Sequence, residues 1–98
     1  MTNKNKIRGD VLEREVVKAW REQGFEAERA RGSDGRSLGH HQEVDVVVNG
    51  LTVQCKRRKR IAEWLTCANS DIVCVREDRG QRLYVIPEDV LFRILKGE

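Results

Sequence analysis

Residues 43–56 read Glu43-Val44-Asp45-Val46-Val47-Val48-Asn49-Gly50-Leu51-Thr52-Val53-Gln54-Cys55-Lys56. An Asn-Gly pair between two apolar-rich runs is the strongest short-range signal for a two-residue β-hairpin. Such a corner pairs Val48 with Leu51. Stepping outward places Asp45 directly opposite Gln54, and Glu43 opposite Lys56. Side chains alternate faces along a strand. Glu43, Asp45, Gln54 and Lys56 are therefore expected on one polar face, with Val47 and Thr52 nearer the corner. Val44, Val46, Val48, Leu51, Val53 and Cys55 form an apolar face opposite. Directly opposed side chains have Cβ atoms about 4.5–5.5 Å apart. Asp45 and Gln54 can thus bring two oxygens to one hard cation such as Mg²⁺, which prefers oxygen ligands. The same pattern also describes an ordinary half-solvated strand pair, with Glu43 and Lys56 as a surface ion pair of little energetic consequence.

Before the hairpin, Leu12, Val16, Ala19 and Trp20 recur with helical spacing. Asp10 is the expected N-cap, Glu13 stands at the capping-box position, and Gly24 is the expected stop. Residues 1–8 read as a flexible basic arm. Phe25 to Ala30 alternates as a first strand. Residues 31–42 hold Gly32, Gly35, Gly39, Ser33 and Ser37 and read as a flexible loop. After the hairpin, the basic run Lys56-Arg57-Arg58-Lys59-Arg60 opens a short helix carrying Ile61, Trp64 and Leu65. Ile72 to Val75 is expected as a buried central strand, and Leu83 to Ile86 as its partner across a turn. Pro87 suits the first turn of a last helix, Glu88 to Lys96. The order α-β-β-β-α-β-β-α is that of an α/β protein with a mixed sheet of about five strands flanked by helices.

The 98 residues fit one domain, 1–98. Apolar residues make up 39%, enough for a core. The longest apolar run falls far short of the roughly 18 residues that would suggest a membrane span. No apolar segment follows the basic start, so no secretory signal is expected. The 3 cysteines, Cys55, Cys67 and Cys74, form no Cys-x-x-Cys. They read as reduced thiols of a cytoplasmic protein, Cys55 and Cys74 as small buried hydrophobes. The net charge of +3 is modest. The placement of the basic residues says more, because five stand in a row from Lys56. Together with Arg29, Arg31, Arg36 and the arm's Lys4, Lys6 and Arg8, they suit a groove for phosphates. No helix-turn-helix or zinc-finger pattern is present, so base-specific reading is not expected. The adjacent His40 and His41 read as exposed loop residues.

Glu13 on a helix, Asp45 in a strand and Gln54-Cys55-Lys56 in the next strand resemble the PD-(D/E)XK nuclease superfamily. Within it, the chain resembles the archaeal and phage Holliday junction resolvases. The likeness runs through Gly9, Leu12-Glu13-Arg14-Glu15, Gly24-Phe25, Arg31-Gly32-Ser33, Val44-Asp45-Val46-Val47 and Val53-Gln54-Cys55-Lys56. It implies a restriction-endonuclease-like core and a Mg²⁺-dependent endonuclease, with Mn²⁺ also supporting activity. The substrate implied is branched DNA, and the assembly a homodimer. It further implies that Asp45 is the central metal carboxylate, that Glu13 binds metal directly or through water, and that the Cys55 carbonyl is a further ligand. Gln54 stands where Glu is usual, and its neutral amide oxygen coordinates more weakly. Lys56 would orient the attacking water or balance charge at the phosphate, and Ser33 would lie near the scissile phosphate. Arg31, Arg36, Arg57, Arg58, Lys59 and Arg60 are the expected DNA contacts. A nuclease acting on flaps or single strands, and a non-catalytic DNA-binding protein of the same fold, are the alternatives.

Overall fold

A computed structural model describes the backbone from residue 4 onward and the side chains from residue 9 onward, Ser33 excepted. The chain forms two compact units, Met1–Arg57 and Arg58–Glu98.

In the first unit, helix α1 (Lys4–Glu22) precedes three short strands, β1 (Ala27–Arg29), β2 (Val46–Val48) and β3 (Leu51–Val53). The strands form one antiparallel sheet in that order. Helix α1 begins well before Asp10, so positions 4–8 of the expected arm are helical, while residues 1–3 lie outside the described residues. Asp10 is therefore not an N-cap. It lies inside the helix, where its carboxylate accepts a hydrogen bond from Arg29 of β1. A strand arginine is a stronger partner for a carboxylate than an amide of its own helix. The C-terminus of α1 follows expectation. Gly24 has φ +90°, its N–H reaches the Arg21 carbonyl and the Phe25 N–H reaches the Trp20 carbonyl. This pair of bonds is the Schellman closure, and it is accompanied by an apolar contact between the same end residues. Here the contact is ring to ring, with Trp20 and Phe25 centroids 5.4 Å apart.

One stripe of α1, Glu13, Val17 and Trp20, is buried, at the spacing i, i+4, i+7. Helix α1 packs on β1 and β2. Val46 and Val48 are fully enclosed, with Ala27 and Ala30 beside them in the core. Asn49 (φ 49°) and Gly50 (φ 78°) both take left-handed backbone, as a type I′ corner requires. The pairs Val48–Leu51, Val47–Thr52 and Val46–Val53 form as read from the sequence.

Past Val46 the expected register stops. The Asp45 N–H donates to the Val53 carbonyl at 2.9 Å, although Val53 is already the partner of Val46. Two residues thus stand against one, the arrangement of a β-bulge. Asp45 is consequently not squarely opposite Gln54, and the strands end short of Glu43 and Lys56. On the other edge the Asp45 carbonyl accepts the Ala30 N–H at 2.8 Å, which ties the bulge to β1.

The loop at 31–42 is more structured than its composition suggests. It contains two 3-10 turns, Arg31–Ser33 and Gly35–Leu38. Ser37 Oγ accepts the Arg31 N–H at 2.8 Å, and Asp34 accepts from the Arg36 backbone at 3.0 Å. Gly35 is buried between them and the return chain. A Cβ there would overlap the His41 carbonyl and stand 2.6 Å from the Val44 Cβ.

In the second unit, β4 (Val73–Val75) and β5 (Leu83–Val85) form a two-stranded antiparallel sheet, followed by α2 (Glu88–Leu95). The expected five-stranded mixed sheet is therefore two antiparallel sheets, although the α/β content stands. The helix expected after the basic run is only a 3-10 turn, Glu63–Thr66, closed by left-handed Cys67. Its stripe buries little, with Trp64 50% exposed, so nothing repays the extension of the turn into a helix. Expected as a buried strand, Ile72–Val75 is instead one half of a ladder with Cys74 exposed. Pro87 precedes α2 as anticipated. Glu88 and Asp89 stand in its first turn, where the helix dipole favours acids. No helix among the described residues is long and apolar enough to cross a membrane.

The close approach at Gly35 makes a direct prediction. Gly35→Ala should destabilise the protein by about 1–3 kcal/mol in urea unfolding, as small-to-large changes in packed sites do. Ser37→Ala should cost less, about 1 kcal/mol, because it removes hydrogen bonds without a clash.

Candidate active site

Glu13 is the one buried charged residue among those described, at 4% exposure. It occupies a core position on α1, one turn after Gly9. A Cβ added to Gly9 would come no closer than 3.9 Å to Glu13 Oε2. A carboxylate in such a place requires a partner charge. Arg29 reaches it from β1, with Nε 3.6 Å from Glu13 Oε1, and reaches Asp10 with Nη2 at 3.3 Å. The buried Arg29 Nε makes no hydrogen bond, so its link to Glu13 is charge attraction rather than a directed bond. Arg29, assigned from sequence to a phosphate groove, thus bridges two acids of α1. The i, i+3 spacing of Asp10 and Glu13 was the available signal for this.

Asp45 sits in the bulge of β2. Its Oδ2 accepts the Cys55 N–H at 2.7 Å. That amide lies beyond the end of β3 and would otherwise need a ladder partner. The side chain of Asp45 therefore takes over from the backbone where the strand pairing stops. The contact is to the Cys55 backbone, a partner that side-chain alternation does not address.

Cys55 responds electrostatically to both acids. Burial pushes its thiol up from 9.0 to about 11, with the charges of Asp45 and then Glu13 adding to the effect. A thiolate there would be a third negative charge in a partly enclosed spot. Cys55 is thus protonated near neutrality. Its raised value favours the folded state below pH 9, and that contribution is lost as pH climbs from about 9 to about 11.

The remaining candidates lie more openly. Gln54 and Lys56 are exposed. Among the described residues no hydrogen bond or ion pair joins either of them to Asp45. Ser33 belongs to the first 3-10 turn by its backbone, and its side chain lies outside the described residues. Arg31, Arg36, Arg57, Arg58, Lys59 and Arg60 are all exposed. Arg36 is held by Asp34, with Nη2 2.6 Å from Oδ2, and this pairing holds the Asp34 carboxyl below its usual value. Lys4, Lys6 and Arg8 lie outside the described side chains. His41 turns inward on its own loop, where Nδ1 accepts the Glu43 N–H at 3.0 Å.

A groove of about 540 Å³ runs along α1 and β1, lined by Arg14, Lys18, Arg21 and Arg29 with Val17 and Glu22. Arg29 is paired with Asp10 and Glu13, and Lys18 lies 3.9 Å from Glu22, so Arg14 and Arg21 give the groove its net positive character. No group of three or more His, Cys, Asp and Glu side chains among the described residues is placed to hold a metal. The set expected from the sequence contains only two such donors, Asp45 and Glu13. Its other members are an amide and a backbone carbonyl. All four are oxygen donors, which fits a hard divalent cation and does not fit zinc held by thiolates.

A family model described as archaeal Holliday junction resolvase (Hjc) matches residues 4–63. The chain belongs to this family. It is therefore a member of the PD-(D/E)XK nuclease superfamily. The matched stretch carries α1, the three-stranded sheet, both acids, Gln54-Cys55-Lys56 and the basic run, and ends before β4. No curated protein and no solved structure matches the chain.

The grouping around Cys55 can be checked without any assay of activity. In a Cys67→Ser, Cys74→Ser background, ultraviolet thiolate absorbance should titrate with a midpoint near 11. Asp45→Asn should lower that midpoint towards the ordinary thiol value, and Glu13→Gln should lower it by less. A midpoint unmoved by both changes would separate Cys55 from the two acids.

Proposed function

We propose that this resolvase-family chain is a metal-dependent endonuclease that hydrolyses phosphodiesters at branched DNA. The observation that carries the reading is the pair of acids inside the segment that matches the family, Asp45 fixed by the Cys55 N–H and Glu13 buried on α1. Asp45 and Glu13 would hold Mg²⁺ or Mn²⁺, with the Cys55 carbonyl and the Gln54 amide as further oxygen donors. The cation supplies positive charge for the non-bridging phosphate oxygens and the leaving oxygen. The protein's own residues do the rest. The Cys55 N–H fixes one oxygen of Asp45 and leaves the other for a ligand. Arg29 supplies the buried Glu13 with an opposite charge. Lys56, exposed after β3, would orient a water or balance charge on the phosphate. Arg31, Arg57, Arg58, Lys59 and Arg60, with the groove on α1, hold the DNA backbone without reading bases. A homodimer would supply two such sites for paired cuts across a four-way junction.

Gln54 favours a second reading. It replaces an anionic ligand by a neutral one, and a chain with a weakened metal site would bind junctions without cutting them. A labelled four-arm junction incubated in a Mg²⁺ and Mn²⁺ series separates the two readings. Paired symmetric cuts, lost in Asp45→Asn with junction binding retained, are the expected result. Cleavage by Asp45→Asn at the unaltered rate would overturn the metal assignment. Cuts confined to flaps would redirect it to another substrate. Tight binding without cutting, even in Gln54→Glu, would leave a DNA-binding protein. Replacing Arg57 and Arg58 by Ala should weaken junction binding and reduce the slope of log K against log salt by about 2, near 0.9 for each phosphate contact.

A further inference from the structure

The second unit carries a cavity of about 400 Å³ at the turn end of the β4–β5 ladder, lined by Arg76, Gly80, Gln81, Arg82 and Tyr84. It lies outside the stretch that defines the family. Two features of it have no structural explanation. Tyr84 is 60% exposed on β5, although an aromatic side chain gains most from burial. Arg76 and Arg82 flank it, and among the described residues neither has an ion-pair partner. Arg76 and Arg82 are the charged residues of the lining, and Glu77 and Asp78 stand in the adjoining turn. Gly80 closes the turn with its N–H on the Glu77 carbonyl at 2.9 Å and presents no side chain to narrow the opening.

An exposed phenol ring that lines one cavity with two guanidinium groups suits a ligand with a flat π-face and an adjoining anion. A nucleotide has both. Bases stack on aromatic side chains whatever their identity, and arginines track the phosphates. A paired base offers no free face, so the chemistry selects an unstacked nucleotide. The volume lies within the range of small-ligand sites. The Gln81 amide can both donate to and accept from a base edge.

We propose that Arg76, Gln81, Arg82 and Tyr84 form a single-strand DNA contact that takes one unpaired nucleotide, its base on Tyr84 and its phosphate between the two arginines. The contact goes beyond cleavage and needs no metal. It rests on the preceding reading only for the choice of DNA as the polyanion.

The test uses the full chain in EDTA with a fluorescent oligothymidylate, and a blunt duplex of equal length as comparison. Tyr84→Ala should weaken oligothymidylate binding about ten-fold, with little effect on the duplex, and Tyr84→Phe should retain it. Arg76→Ala with Arg82→Ala should lower the salt slope by about 1.4, near 0.7 for each phosphate. An oligothymidylate carrying 5-iododeoxyuridine should photo-crosslink to Tyr84 in the unaltered chain, a readout that no folding defect can mimic. Crosslinking elsewhere, Tyr84→Ala binding as tightly as the unaltered chain, or equal losses on duplex and single strand would each overturn the proposal. Because the metal is chelated, these outcomes do not depend on Asp45 or Glu13. Failure here would leave junction cleavage standing, and a chain that never cuts a junction would leave this contact intact.

Discussion

The hydrogen bond from the Cys55 N–H to Asp45 Oδ2, at 2.7 Å, is made where two strands part company. Backbone pairing between β2 and β3 ends at Val46 and Val53. The next amide must find an acceptor or be left wanting. An aspartate provides one, and in doing so its carboxylate is fixed at the end of the sheet rather than left swinging in solvent. Three backbone and side-chain links, to Val53, Cys55 and Ala30, hold this one residue. Short strands therefore suffice to position an acid with precision, because rigidity comes from the bulge and its hydrogen bonds rather than from ladder length.

Around that point the first unit arranges its charges in sequence. Asp10 and Glu13 lie on α1, Arg29 comes between them from β1, and Asp45 approaches from β2. Cys55 experiences the two innermost acids together. Acids kept close to one another repel unless a cation relieves them. Arg29 relieves the outer pair. Asp45 is held instead by the Cys55 N–H.

Much of this was legible in the sequence where local rules decide. The Asn49-Gly50 corner, its register as far as Val46 and Val53, and the stop at Gly24 all follow from turn chemistry and helical period. The chain's membership of the resolvase family was also legible, from motif spacing. What escaped the sequence were the points where tertiary contacts override local preference. The register placed Asp45 squarely opposite Gln54 because a bulge leaves no mark in a hydrophobic pattern. Asp10 looked like a cap because it opens the apolar repeat, whereas the helix begins more than a turn earlier, at Lys4. The glycines at 31–42 suggested slackness, yet Gly35 is there because the chain passes too close for a side chain. In the second unit, a run of apolar letters promised a buried central strand, but two strands alone cannot enclose one.

Glu13 occupies a place on the buried stripe of α1 that packing alone would give to leucine. Ion pairs in such positions are commonly less stabilising than the apolar residues that could replace them. Selection of variants for heat resistance, with no other requirement, should therefore drift towards hydrophobic residues at positions 13 and 29 together. The hardier proteins so obtained would have exchanged a carboxylate for durability. The persistence of a charged residue at the heart of so small a unit is a mark of a fold that operates below its greatest attainable robustness.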